Sequence, residues 1–121
     1  MSKAKRVDKN QKEIVEQLRK LGYNVEHTYM IGKGFPDVII SFDYLFTLPI
    51  EIKSKGGKLT EDEENFHNRY KGYIITAYNL EDVLKGVKEF QERLIKYHEN
   101  VNSEHCKQKT EDQPNIETLS K

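Results

Sequence analysis

The seventeen residues from Asp37 to Lys53, DVIISFDYLFTLPIEIK, constrain the fold more than any other part of the chain. Two runs rich in β-branched and aromatic residues flank Asp43-Tyr44-Leu45, a pattern that reads as a β-hairpin. Centring the turn on Tyr44 sets Phe42 against Phe46, Ile40 against Leu48, Val38 against Ile50 and Asp37 against Glu51. Side chains alternate faces along a strand, so Val38, Ile40, Phe42, Phe46, Leu48, Ile50 and Ile52 share one apolar face. The other face carries Asp37, Ile39 and Ser41 opposite Thr47, Pro49, Glu51 and Lys53. Opposed Cβ atoms lie about 4.5–5.5 Å apart, so two carboxylates there repel unless something sits between them. Pro49 cannot donate a ladder hydrogen bond and implies a bulge or an edge position. Two readings fit: charged residues solvated at the open end of a hairpin, or an oxygen-rich site for a divalent cation with Lys53 one step along.

The flanking segments supply a sheet and its helices. Ile14, Leu18 and Leu21, widened by Val15, predict a helix from about Asp8 to Leu21, with Gly22 suited to its C-terminal turn. A strand is expected from Tyr23 to about Tyr29, and GKGFP breaks it. Two strands, about Asp37–Phe42 and Phe46–Lys53, form the hairpin. Thr60-Glu61-Asp62-Glu63 is a capping box that starts a second helix, which carries Phe66 and Tyr70 on one face and ends at Gly72. YIITAY reads as a buried strand, and Asn79 caps a third helix whose Val83, Val87, Phe90 and Leu94 run to about Tyr97. The expected fold is therefore α/β, in the order α-β-β-β-α-β-α. Its mixed sheet of about four strands is flanked by helices, and the step from Lys53 to Tyr73 is a right-handed parallel crossover. Residues 1–97 form the expected domain, and 98–121 a polar, disordered tail that lacks helical periodicity.

Charge bears on the choice between the two readings of the hairpin. The chain balances 20 basic against 20 acidic residues, so its global charge names no partner. Its first 58 residues nevertheless carry 11 Lys/Arg against 7 Asp/Glu, a local basic excess compatible with a phosphate-bearing ligand. The single cysteine, Cys106, rules out a disulfide framework or a cysteine metal cluster within one chain. The four histidines show no zinc-ligand spacing, and no phosphate-loop motif is present. No apolar run is long enough for a membrane span, and the N-terminus lacks the apolar core of a secretory signal. A soluble, reducing, cytoplasmic setting is expected.

The ordered motifs together resemble the PD-(D/E)XK nuclease superfamily, and more narrowly its small stand-alone VRR-NUC nucleases of phages, which are similar to Holliday-junction resolvases. The residues that carry the resemblance are Gly32 and Gly34, Pro36-Asp37, Glu51-Ile52-Lys53, Gly56-Gly57-Lys58 and Leu59-Thr60. It implies a restriction-endonuclease-like core in which Asp37, Glu51 and the Ile52 carbonyl bind Mg²⁺ or Mn²⁺, with Lys53 as the catalytic cation. Similar enzymes use an acid on the first helix, and Glu13, bordering the Ile14 stripe, is the match for both catalysis and metal binding. Many relatives place a glutamine or lysine in the first turn of the second helix. Glu63 stands there here, explained by the capping box and left outside the catalytic set.

Lys33, Gly34, Lys55 and Lys58 lie on glycine-bearing loops beside the acids, where they are either DNA-phosphate contacts or solubilising turn residues. The resemblance thus implies a metal-dependent DNA endonuclease, selective for branched DNA such as a four-way junction. A homodimer would match the two-fold character of that substrate, with the third helix or Tyr29–Ile31 as its surface, and a helicase or recombination protein is a further expected partner. A restriction-type nuclease of defined sequence and a non-cleaving DNA-binding module are the alternatives. In either case the protein has no membrane partner.

Overall fold

The computed structural model describes residues 9–112, with side chains through residue 102. Its element order is α1 (Lys9–Lys20), β1 (Asn24–His27), a 3₁₀ turn at Tyr29–Ile31, β2 (Val38–Phe42), β3 (Phe46–Ile52), α2 (Glu61–Arg69), β4 (Ile75–Ala77) and α3 (Leu80–Asp112). The expected α/β order holds. The four strands form one mixed sheet in spatial order β1-β2-β3-β4. β1, β2 and β3 pair antiparallel, and β4 lies parallel to β3 after the α2 crossover.

The hairpin register is the expected one through its body: Phe42 pairs with Phe46, Ile40 with Leu48 and Val38 with Ile50. Its apolar face, with Ile14, Val15 and Leu18 of α1 and Val25 of β1, supplies most of the buried core. Pro49 sits within β3 without a bulge of its own. The Ile50 carbonyl accepts from β2, so the neighbouring Pro49 nitrogen points the other way, towards β4. There pairing begins only at Ile50, and the missing N–H is not needed.

At its open end the hairpin departs from the expected pattern. The Asp37 amide donates to the Ile50 carbonyl at 3.1 Å, although Ile50 is already paired with Val38. The Asp37 carbonyl accepts from Thr28 on the opposite neighbour at 2.8 Å. A regular strand residue sends both groups to one side; Asp37 divides them, as a bulge residue does. Asp37 therefore does not stand squarely opposite Glu51.

Strand β1 stops at His27, short of the expected Tyr29, because Thr28 turns its hydroxyl onto the Pro36 carbonyl at 2.8 Å and the chain enters the 3₁₀ turn. The Gly32-Lys33-Gly34 loop follows, all three residues at positive φ. At Gly34 this geometry is obligatory, since a Cβ there would overlap the Asp62 carbonyl oxygen in the first turn of α2. Gly34→Ala combines that overlap with a φ of +82°. It is expected to lower stability by about 2 kcal/mol or more, read as a drop in the denaturation midpoint.

The capping box at Thr60 forms in both directions: Thr60 N–H donates to Glu63 Oε1 at 2.8 Å, and Glu63 N–H to Thr60 Oγ1 at 3.2 Å. Asn79 caps α3 through its side chain, which accepts from Asp82 N–H at 2.8 Å. The chain divides into two compact units, 1–87 and 88–121. In the first, Gly86 of α3 lies so near Ile75 of β4 that a Cβ would come within 2.8 Å of it. In the second, α3 continues to Asp112, where a disordered tail after Tyr97 was expected. No glycine or proline interrupts the sequence between Gly86 and Pro114, and pairs such as His98–Asn102, 3.0 Å apart, support successive turns. Residues 113–121 of the expected tail, and Asp8 of the first helix, lie outside the described residues. No helix among the described residues is long and apolar enough to cross a membrane.

Candidate active site

Four side chains converge where the hairpin opens. Glu51, on central strand β3, is 1 % exposed, an unusual position for a carboxylate. Lys53 follows on the same side, its Nζ 3.6 Å from Glu51 Oε2 and 2.7 Å from Glu63 Oε1. Asp37 approaches from the bulge, and its Oδ2 accepts the Ile52 amide at 2.8 Å. That bond ties the Pro-Asp corner directly to the Glu-x-Lys strand, so the two motifs form one rigid unit.

The electrostatics of the group are unbalanced. Burial, the Asp37 charge and a hydrogen bond that the protonated carboxyl donates to Glu63 push Glu51 up to about 9, with Lys53 only partly opposing them. Burial disfavours the Lys53 ammonium, but its bond to Glu63 and the nearby carboxylates raise it above the usual lysine value. Burial likewise disfavours the Glu63 anion, yet Lys53 and the Thr60 amide hold its pKa below the usual carboxylate range. Glu51 Oε1 is buried without a hydrogen-bond partner, and such an atom carries the full cost of its desolvation.

The donor set suits a hard divalent cation. Magnesium is commonly held by one or two carboxylates, with water and substrate phosphate completing its shell. Asp37 and Glu51 are two carboxylates of that kind, and Glu51 Oε1 has a lone pair that no hydrogen bond uses. No cluster of three or more His, Cys, Asp or Glu side chains that could hold a metal exists among the described residues.

Other expected residues take different places. Glu13 is exposed, whereas α1 buries Gln11, Ile14, Val15 and Leu18. At about 100° per residue, Glu13 lies on the far side of the helix from that stripe, one turn after Asn10. Ile52 sends its amide towards Asp37, and its carbonyl shares that direction by strand geometry. Lys33 is exposed with φ of 54°, and Lys55 and Lys58 are exposed on the loop after β3. Gly34 serves the close approach to α2 and offers no side chain.

Three residues outside the expected set belong to the site's frame. Glu63 caps α2 and grips Lys53 with the same carboxylate; its capping role hid the second one. Asn10 Nδ2 donates to the carbonyls of Lys53 and Tyr78 at 2.9 and 3.2 Å. The Tyr78 hydroxyl donates to the Gly57 carbonyl at 2.8 Å, fastening the lysine-bearing loop. No periodicity distinguishes Asn10 or Tyr78, because their bonds cross 43 and 21 residues of chain.

No protein-family model matches the chain, and neither a curated protein nor a solved structure matches it.

Proposed function

We propose that this protein is a Mg²⁺- or Mn²⁺-dependent endonuclease of the PD-(D/E)XK type, hydrolysing phosphodiester bonds in DNA with a preference for branched substrates. The observation that carries the reading is the buried, unpartnered Glu51 oxygen beside Asp37, with the Lys53 ammonium held over the pair. A structural ion pair needs one acid and one base. Here three acids surround one lysine, leaving the group short of positive charge.

A bound divalent cation would supply Lewis acidity to the phosphate and lower the pKa of an attacking water. Asp37 and Glu51 would hold it, with the Ile52 carbonyl at hand. Lys53 projects its ammonium into the same space and offers hydrogen bonds to phosphate oxygens as their negative charge grows. Glu63 fixes the lysine at one end of its reach, so little ordering is left to do when substrate arrives. Lys33, Lys55 and Lys58 flank the site as phosphate contacts that position without reading sequence.

Incubation with a four-way junction, a nicked duplex, a linear duplex and a single strand, each with Mg²⁺, Mn²⁺ or EDTA, tests this. Metal-dependent cutting of the branched substrate is expected, and no cutting of any substrate with either metal overturns the reading. Cutting confined to linear duplex at a defined sequence replaces it with a restriction-type role. Glu13→Ala is expected to cut within about twofold of the parent, because its side chain is exposed on the face of α1 opposite the buried stripe; a larger loss would add Glu13 to the site.

A further inference from the structure

The far end of the hairpin carries a second feature that the acidic site does not use. Asp43 and Tyr44 have φ of 59° and 54°, and Leu45 N–H donates to the Phe42 carbonyl at 3.3 Å. These are the signs of a type I′ turn, for which Asn-Gly is the favoured pair. A tyrosine there is strained, and its ring is fully exposed, with Leu45 beside it 75 % exposed. Behind the tip, Tyr23 meets Phe42 edge to face and Phe42 lies tilted against Phe46, each pair with centroids 5.4 Å apart, so the strand ends that carry the turn are packed against one another.

A cavity of about 380 Å³ opens beside it, of a size that takes small ligands. Asn24, Ser41 and Thr47 form one cross-strand row in its wall. Its only charged lining residue is Asp43, so the cavity repels phosphate and accepts from N–H groups. A flat aromatic body with amino or imino hydrogens matches these walls. Alternation along β3 places Thr47 on the same sheet face as Glu51.

Resting on the endonuclease reading, we propose that the Tyr44 hairpin tip and its cavity take an unpaired nucleobase of the DNA substrate, stacked on the Tyr44 ring. Strand geometry puts the tip on the order of 20 Å from Glu51. That length corresponds to about five or six nucleotides at ~3.4 Å per step, and it fixes the cut at that offset from the unpaired base.

The test uses the full chain and DNA carrying 2-aminopurine at a single unpaired position, titrated in EDTA and followed by fluorescence. Stacking is expected to quench the probe. Tyr44→Ala is expected to weaken binding by about 5- to 150-fold, the range for losing one base-stacking aromatic, and Tyr44→Phe to retain it. Tyr44→Gly separates function from folding: it loses the same affinity, while its melting temperature holds or rises by up to about 5 °C as the left-handed strain is relieved.

With Mg²⁺, cuts are expected about five or six nucleotides from the unpaired base and to move when that base is moved. Parental quenching by Tyr44→Ala and Tyr44→Gly overturns the proposal, as does a cut that ignores the base. So does an absence of quenching with every DNA tested, the result expected of a peptide-binding tip. Tyr44-dependent quenching without cleavage leaves the base pocket standing and removes the endonuclease reading. Cleavage unchanged by Tyr44→Gly does the reverse.

Discussion

Asp37→Asn is expected to reduce metal-dependent cleavage by at least 10²–10³-fold, the scale of removing one group that stabilises charge in a transition state, while leaving the protein folded. The substitution suits this protein because the Asp37 Oδ2 that accepts the Ile52 amide has a replacement in the asparagine oxygen. Asp37→Ala would instead leave that amide without its partner, at a cost of about 1–3 kcal/mol, and would confuse misfolding with lost chemistry. The new amide also ends the repulsion between Asp37 and Glu51. Its melting temperature should therefore equal or exceed the parent's at pH 8, and single-turnover cleavage beside a thermal scan reads both effects. Retained cleavage would remove Asp37 from the site and, with it, the proposed metal pair. Lys53→Ala is the companion. It should cut far more slowly yet bind DNA in EDTA, since the ammonium acts at the reacting phosphate and Lys33, Lys55 and Lys58 remain.

The two variants also show which parts of the site were legible in sequence. Asp37, Glu51 and Lys53 were readable because a period of two and a three-residue turn determine which residues share a face, and the body of the hairpin follows that rule. The bulge at Asp37 was not, since it depends on the amide of Thr28, just past β1, donating to the Asp37 carbonyl, a contact no local pattern encodes. Glu63 was concealed by sufficiency: one capping box accounted for it, yet its carboxylate serves Lys53 as well. Glu13 borders the buried stripe in sequence but not on the helix, because neighbours in sequence point about 100° apart, and its side chain is exposed. The α3 extension to Asp112 was missed through weight on apolar periodicity, when the lack of any breaker before Pro114 carried the information.

Metal-free protein should lose stability as pH rises from about 5 to 9, opposite to the behaviour of a domain held by ionised carboxylates. Glu51 is raised from 4.5 to about 9 in the fold, so across that window the folded state keeps a proton that the unfolded chain has lost. Stability from this group is fully present below pH 4.5 and disappears as pH climbs through 9, with a slope of at most about 1.4 kcal/mol per pH unit for one proton. Lys53, raised, and Glu63, lowered, both stay charged throughout the window and add no slope. Denaturant midpoints in EDTA at pH 6, 7 and 8 measure the effect. Glu51→Gln should flatten the profile and make the protein more stable than the parent at pH 8, because a neutral amide is buried where a carboxyl must otherwise hold its proton. The same variant should lose cleavage and lose any rise in melting temperature on adding Mg²⁺. A gain in stability coupled to a loss of metal response marks a residue kept for chemistry against the interest of the fold. A Glu51→Gln protein that is less stable at every pH would instead make this carboxyl a structural hydrogen-bonding group, and the site would lose its central ligand.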